Sequence, residues 1–134
     1  NQMMGGAFDG HPWGAGSKVT IKNVDPDHPV NAAFGGKGFE VTDEIYQFRA
    51  DTALPTERRF LLTLDPEKTN VSIGKRKDGL YPISWVSKYA KGRVFYCSLG
   101  HNDHIYWNPE VLKHYLAGIQ YALGDLKADA APGK

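Results

Sequence analysis

Residues 92–124 read GRVFYCSLGHNDHIYWNPEVLKHYLAGIQYALG, and they decide the fold class because a strand signal leads directly into a helix signal. Residues 92–100 predict a strand with apolar side chains on both faces, as in the interior of a sheet. Asn108 suits an N-cap, Pro109 the first helical position and Gly124 the C-terminal end of a helix. An apolar face at helical spacing predicts that this helix packs on the sheet. That face consists of Val111, Leu112, Tyr115, Leu116, Ile119, Ala122 and Leu123.

Further strand signals lie upstream of this unit. Residues 18–24 alternate polar and β-branched apolar side chains, which predicts a half-buried strand. Residues 39–42 indicate a short second strand, and residues 59–64 are nearly continuously apolar, as in a strand covered on both faces. The glycine-rich residues 1–17 predict a long surface loop. Several strands and a helix together indicate the α/β class.

Length and composition favour one globular domain. A chain of 134 residues with 41% hydrophobic residues can build a single core. We place this domain at residues 1–127 and predict a frayed tail over residues 128–134, which are small, polar and proline-containing. The 16 basic and 15 acidic side chains nearly cancel, and no stretch is apolar enough to cross a bilayer. Neither a nucleic acid nor a membrane is therefore an expected partner.

The loop after residues 92–100 carries the main candidate site. In a doubly wound sheet the active groups lie on loops beyond the carboxyl ends of strands, and His101 comes directly after such an end. Imidazole exchanges protons near neutral pH, so His101 is a candidate general acid or base. A loop histidine with only a hydrogen-bonding role is the alternative. Asn102 is a polar neighbour, and Trp107 is an aromatic side chain suited to a sugar ring.

Two adjacent carboxylates provide a second candidate group. Asp43 and Glu44 would point to opposite faces of a strand, so at most one of them faces a cleft. Glu44 is the preferred candidate because it could orient an imidazole or act as a general base, with a solvated strand end as the alternative. His11 precedes a proline, which holds the backbone extended and can present the ring from a loop.

No sequence motif indicates nucleophilic or metal-dependent catalysis. Cys97 lies inside a predicted buried strand and is expected to be structural. The chain has no nucleophile elbow and no regular spacing of metal ligands. The sequence therefore assigns no nucleophile, metal or cofactor.

Five short segments, taken in order, resemble the ThuA-like family, which is named for trehalose utilisation. They are residues 5–12, 27–30, 43–48, 92–96 and 99–101. The resemblance implies a flavodoxin-like three-layer sandwich of the class I glutamine amidotransferase type. It also implies that the chain is the C-terminal part of that domain. A missing N-terminal segment or a homo-oligomer would then cover the exposed edge of the sheet.

The same resemblance implies a site and a role in carbohydrate metabolism. The catalytic residues would be His101 and Glu44. The substrate-binding residues would be His11 and Tyr46, with Asp43, Asn102 and Trp85 as weaker neighbours. Trp107 remains a substrate-binding candidate from its place in the loop. The substrate would be a disaccharide or a keto-sugar derivative, and the protein a hydrolase, lyase or isomerase of a bacterial cytoplasm or periplasm. Two alternatives stay open: a silent domain that binds carbohydrate or a partner, and an amidotransferase-type hydrolase whose cysteine lies upstream.

Overall fold

Five strands form one sheet in the computed structural model, which describes residues 2–133. The strands are β1 (Lys18–Asn23), β2 (Phe39–Thr42), β3 (Arg59–Leu64), β4 (Pro82–Tyr89) and β5 (Gly92–Cys97). Their spatial order is β2-β1-β3-β4-β5, and each neighbouring pair is antiparallel. The described helices are α1 (Pro109–Leu123) and two short 3-10 helices, Pro29–Phe34 and Asp103–Trp107.

The mixed α/β class is confirmed, but the direction of the strands corrects the predicted architecture. A flavodoxin-like sheet is parallel, and each parallel connection needs a crossover of a dozen or more residues, usually a helix. Here α1 follows the last strand, and only residues 90 and 91 separate β4 from β5. Such a short connection forces antiparallel pairing. Residues 2–133 therefore form an antiparallel sheet in place of the predicted doubly wound one.

Helix α1 begins and ends where the sequence predicts. The Asn108 side chain accepts hydrogen bonds from the backbone N–H groups of Glu110 and Val111. Gly124 ends the helix with φ 98°, a left-handed conformation that glycine adopts without steric cost. No helix in the described part of the chain combines the length and apolarity that a membrane crossing requires.

The buried face of α1 differs from the predicted one. The side of the helix that packs inward carries Val111, His114, Gly118 and Tyr121. The predicted contact residues Leu112, Leu116, Ile119 and Leu123 are exposed. A Cβ atom on Gly118 would lie 2.2 Å from the ring of Phe95 in β5, so the missing side chain lets the helix approach the sheet closely. The face that hydrophobicity predicts to be buried is therefore largely exposed, and the face that allows close packing against the sheet is the buried one.

The segment after residue 127 contacts the rest of the molecule. The carboxylate of Asp129 accepts a hydrogen bond from Arg59 at 2.9 Å, and its backbone carbonyl lies 2.9 Å from Nε2 of His28. The other ring nitrogen of His28 accepts from the N–H of Val30 and so caps the first 3-10 helix. The domain boundary itself stays a prediction, and Lys134 lies outside the described residues.

Candidate functional site

Two extended segments, residues 7–13 and 43–49, pair with each other and build the candidate site. Backbone hydrogen bonds of 2.8 or 2.9 Å join them along their length. Trp13, at the end of the first segment, is buried and faces Ile45 in an isolated antiparallel bridge. The predicted surface loop at the start of the chain is therefore an ordered wall of the site over these residues.

Side chains of the second segment alternate between the interior and the site. Asp43, Ile45 and Gln47 are fully buried. Glu44 and Tyr46 lie between them and are partly exposed. Because successive side chains of an extended chain point to opposite faces, Glu44 and Tyr46 share one face.

Asp43 anchors the loop that carries the candidate histidine. Its two carboxylate oxygens accept hydrogen bonds from the backbone N–H groups of Gly100 at 2.7 Å and Asn102 at 2.9 Å. The Asn102 amide in turn donates to the carbonyls of Ala15 at 2.7 Å and Thr42 at 3.0 Å. These bonds give Asp43 and Asn102 a positioning role. Their predicted contact with substrate stays a prediction.

Glu44 lies between two histidines. One carboxylate oxygen is 3.5 Å from Nδ1 of His101, and the other is 3.5 Å from Nδ1 of His11. The Glu44 side chain is 13% exposed, whereas those of His11 and His101 are 53% and 47% exposed. We call these three residues the His–Glu–His cluster. The fold therefore shelters the carboxylate and leaves both imidazoles open to a ligand.

The geometry of this cluster determines which ring nitrogens face outward. Each Nδ1 lies 3.5 Å from an oxygen of the Glu44 carboxylate. Since Nδ1 of each ring faces Glu44, Nε2 is the nitrogen available to a ligand.

An aromatic cavity of about 360 Å³ adjoins the cluster. Its lining residues are Met4, Gly6, Phe8, Tyr46, Phe48, Trp85 and Tyr96. The Phe8 ring stacks near His11 at a centroid distance of 6.2 Å and meets the edge of Tyr46 at 5.0 Å. Phe8 and Tyr46 thus connect the cavity to the His–Glu–His cluster. We call this cavity the aromatic pocket.

The two predicted tryptophans lie away from the cluster. Trp107 is 81% exposed and, within the described residues, makes no ring contact or side-chain hydrogen bond with the cluster. Trp85 is fully buried, stacks on Tyr96 at 4.1 Å and donates its indole N–H to the Met4 carbonyl at 3.0 Å. Trp85 therefore forms part of the aromatic pocket, and the predicted sugar contact of Trp107 stays a prediction.

Sequence reasoning missed most of the aromatic pocket. Phe48 could have been found, because it continues the alternation that places Glu44 and Tyr46 on one face. Phe8 and Tyr96 had no comparable signal, since Phe8 lies in a glycine-rich segment and Tyr96 in a strand that looks buried on both faces.

Metal-ligating side chains and the cysteine thiol were the other possible reactive groups. Among residues 2–133, no group of three or more His, Cys, Asp or Glu side chains is arranged to hold a metal ion. Burial raises the pKa of the Cys97 thiol to about 12, so the thiol stays protonated near neutral pH. This protonation state agrees with the structural role expected for Cys97.

Comparisons with known proteins give one match. A family model described as ThuA, trehalose utilisation, matches residues 1–122, which is nearly the whole chain. Neither the curated proteins nor the solved structures contain a match.

Proposed function

Because the chain belongs to the ThuA, or trehalose utilisation, family, we propose that its His–Glu–His cluster is the acid–base centre of a sugar-processing enzyme. The family gives the chain a carbohydrate-related role in general. One observation supports the finer proposal: the sheltered Glu44 carboxylate has its two oxygens 3.5 Å from Nδ1 of two exposed imidazoles.

The proposed substrate is a keto-sugar derivative of a disaccharide. A hydrogen on the carbon next to a keto group is acidic enough for an imidazole base to remove. In our proposal, Nε2 of neutral His101 takes this proton while protonated His11 gives a proton to the carbonyl oxygen. The product of the step is an enediol, with His101 now protonated and His11 neutral. The charge of Glu44 does not change during the transfer.

Glu44 has an orienting role in this proposal. A carboxylate beside Nδ1 holds the proton on that nitrogen and leaves the Nε2 lone pair free to act as a base. It also stabilises the imidazolium that forms when His101 accepts the substrate proton. The enediol is a common intermediate of isomerisation and of elimination from the next carbon, so the proposal covers an isomerase or a lyase.

A carbohydrate-binding domain without turnover is the second candidate. The aromatic pocket beside the cluster favours it, because such a surface can hold a group linked to the sugar with no acid–base chemistry. In the first candidate the cluster transfers protons once the sugar is bound, and in the second candidate it does not.

Turnover and binding should be measured on the same set of variants. The substrates are trehalose and keto-trehalose, followed by chromatography of the products and by calorimetry for binding. We expect H101A to lose at least about 100-fold in kcat, the lower range for general acid–base catalysis, while binding changes little. H104A is the matched control, because His104 is an exposed histidine in the 3-10 helix that follows His101 and lies outside the cluster. Binding without turnover by the unaltered protein would favour the second candidate.

A further inference from the structure

The aromatic pocket is poorly suited to a hydroxyl-rich sugar ring. Its lining side chains are aromatic apart from Met4 and Gly6, and the indole N–H of Trp85 already donates to the Met4 carbonyl. The hydroxyl groups of Tyr46 and Tyr96 are the other polar side-chain groups of the lining. A pyranose has several hydroxyl groups, more than two tyrosines can satisfy, and each unsatisfied group loses hydrogen bonds to water on entering the site. An apolar ring enters such a site without that cost.

Several of the aromatic rings that line the pocket contact one another edge-on. Phe48 meets Trp85 edge-on, with 5.4 Å between ring centroids, and Tyr46 meets Phe8 edge-on. Gly6 packs directly against this group, because a Cβ atom there would lie 2.6 Å from the Phe48 ring. Faces and edges of aromatic rings attract another aromatic ring in stacked or edge-on geometry.

The pocket includes Tyr46, which lies two residues after Glu44 in the same extended segment. Glu44, Tyr46 and Phe48 are alternate residues of one extended segment, so their positions are about 7 Å apart along the chain. The exposed ring of Phe8 lies between His11 and Tyr46. A two-ring ligand can therefore place one ring at the cluster and the other in the pocket.

We propose that the aromatic pocket binds the aromatic aglycone of an aryl glycoside whose sugar ring lies at the His–Glu–His cluster. The proposal rests on the proposed function for the sugar half of the ligand. It adds a selectivity for the group that is linked to the sugar. Phe8 and Tyr46 would be the residues that determine this selectivity, because they join the pocket to the cluster.

The test compares two glycosides that differ only in the aglycone. Phenyl glucoside and methyl glucoside of the same anomeric configuration are titrated into the protein by calorimetry. We expect phenyl glucoside to bind about tenfold more tightly, as one stacked aromatic ring would provide. F8A and Y46A should each remove most of this advantage, and F8A should leave the affinity for methyl glucoside nearly unchanged.

Two further variants make the test specific. F8L keeps an apolar side chain without a ring, and it should lose the phenyl preference in the same way as F8A. Y89A removes an exposed tyrosine at the far end of β4 and should keep the full preference. Thermal denaturation of each variant checks that the fold is intact.

The outcomes separate this inference from the proposed function. Equal affinities for the two glycosides, a preference that survives in F8A and Y46A, or no binding of either glycoside would overturn the aglycone pocket. If the unaltered protein binds both glycosides equally and E44Q weakens the binding of methyl glucoside, the aglycone pocket is overturned and the proposed function stands. A phenyl preference that depends on Phe8 but not on Glu44 would support the pocket and contradict the sugar site at the cluster.

Discussion

His114 makes the stability of this fold depend on pH in a way that can be calculated. Its ring is fully buried between Phe34 and Phe95, with ring centroids 5.2 Å away on either side. Nδ1 lies 2.9 Å from the Val30 carbonyl and Nε2 2.9 Å from the Ser84 hydroxyl. A neutral ring satisfies both partners by donating from Nδ1 and accepting at Nε2. A second proton would have to enter without a charged partner.

The size of this pH dependence follows from the difference between the pKa of His114 in the unfolded chain and in the folded chain. Burial lowers the pKa of His114 from 6.5 to about 4, so the unfolded chain takes up the proton before the folded one does. The stability contributed by neutral His114 is therefore complete above pH 6.5 and is lost as the pH falls toward 4. At about 1.4 kcal/mol for each tenfold change in proton affinity, the loss is about 3 kcal/mol.

Urea unfolding at a series of pH values measures this loss. The free energy of unfolding is determined for the unaltered protein and for H114Q, and the difference between them is compared at pH 7 and pH 4. Since the other titrating groups are common to both proteins, the difference should shrink by about 3 kcal/mol as the pH falls. S84A keeps the imidazole and should retain the pH dependence. A difference that stays constant from pH 7 to pH 4 would refute the reasoning.

Two other substitutions test the packing of α1 and the anchoring of the histidine loop. G118A should destabilise the fold by about 1–3 kcal/mol, because the added Cβ meets the Phe95 ring, although alanine is otherwise the better helix former; an unchanged melting temperature would contradict the close approach. D43N should make the backbone N–H groups of Gly100 and Asn102 exchange with solvent faster, by at least about tenfold for one of them, because asparagine keeps a single neutral acceptor oxygen and turns an NH₂ donor toward the other N–H group. Unchanged protection of these amides by NMR would contradict the anchor.

The sequence predicted several strands and the ends of α1, and it missed β4. Residues at the buried face of β4 include Ser84 and Ser87, and polar side chains at buried positions interrupt the apolar pattern of a strand. Ser84 is tolerated there because His114 bonds to it across the core. That partnership joins residues 30 positions apart, and no local pattern contains it.

In the candidate site, too, the local sequence pattern predicts some features, whereas contacts between distant residues determine others. Alternation correctly separates Asp43 from Glu44, and the family resemblance names His11, Glu44 and His101, which the fold brings together. A parallel sheet would place His101 at the carboxyl end of a strand, yet the sheet is antiparallel. The hydrogen bonds that Asp43 makes to the following loop fix that position instead.

Hydrogen exchange on a keto-sugar tests the acid–base role of the His–Glu–His cluster most directly. Keto-trehalose is incubated with the protein in D₂O, and proton NMR follows the signal of the carbon-bound hydrogen next to the keto group. We predict rapid loss of that signal with the unaltered protein, a loss slowed at least about 100-fold by H101A or E44Q, and an unchanged rate with H104A. Exchange at the rate of the protein-free solution, or exchange that survives in both H101A and E44Q, would contradict the account.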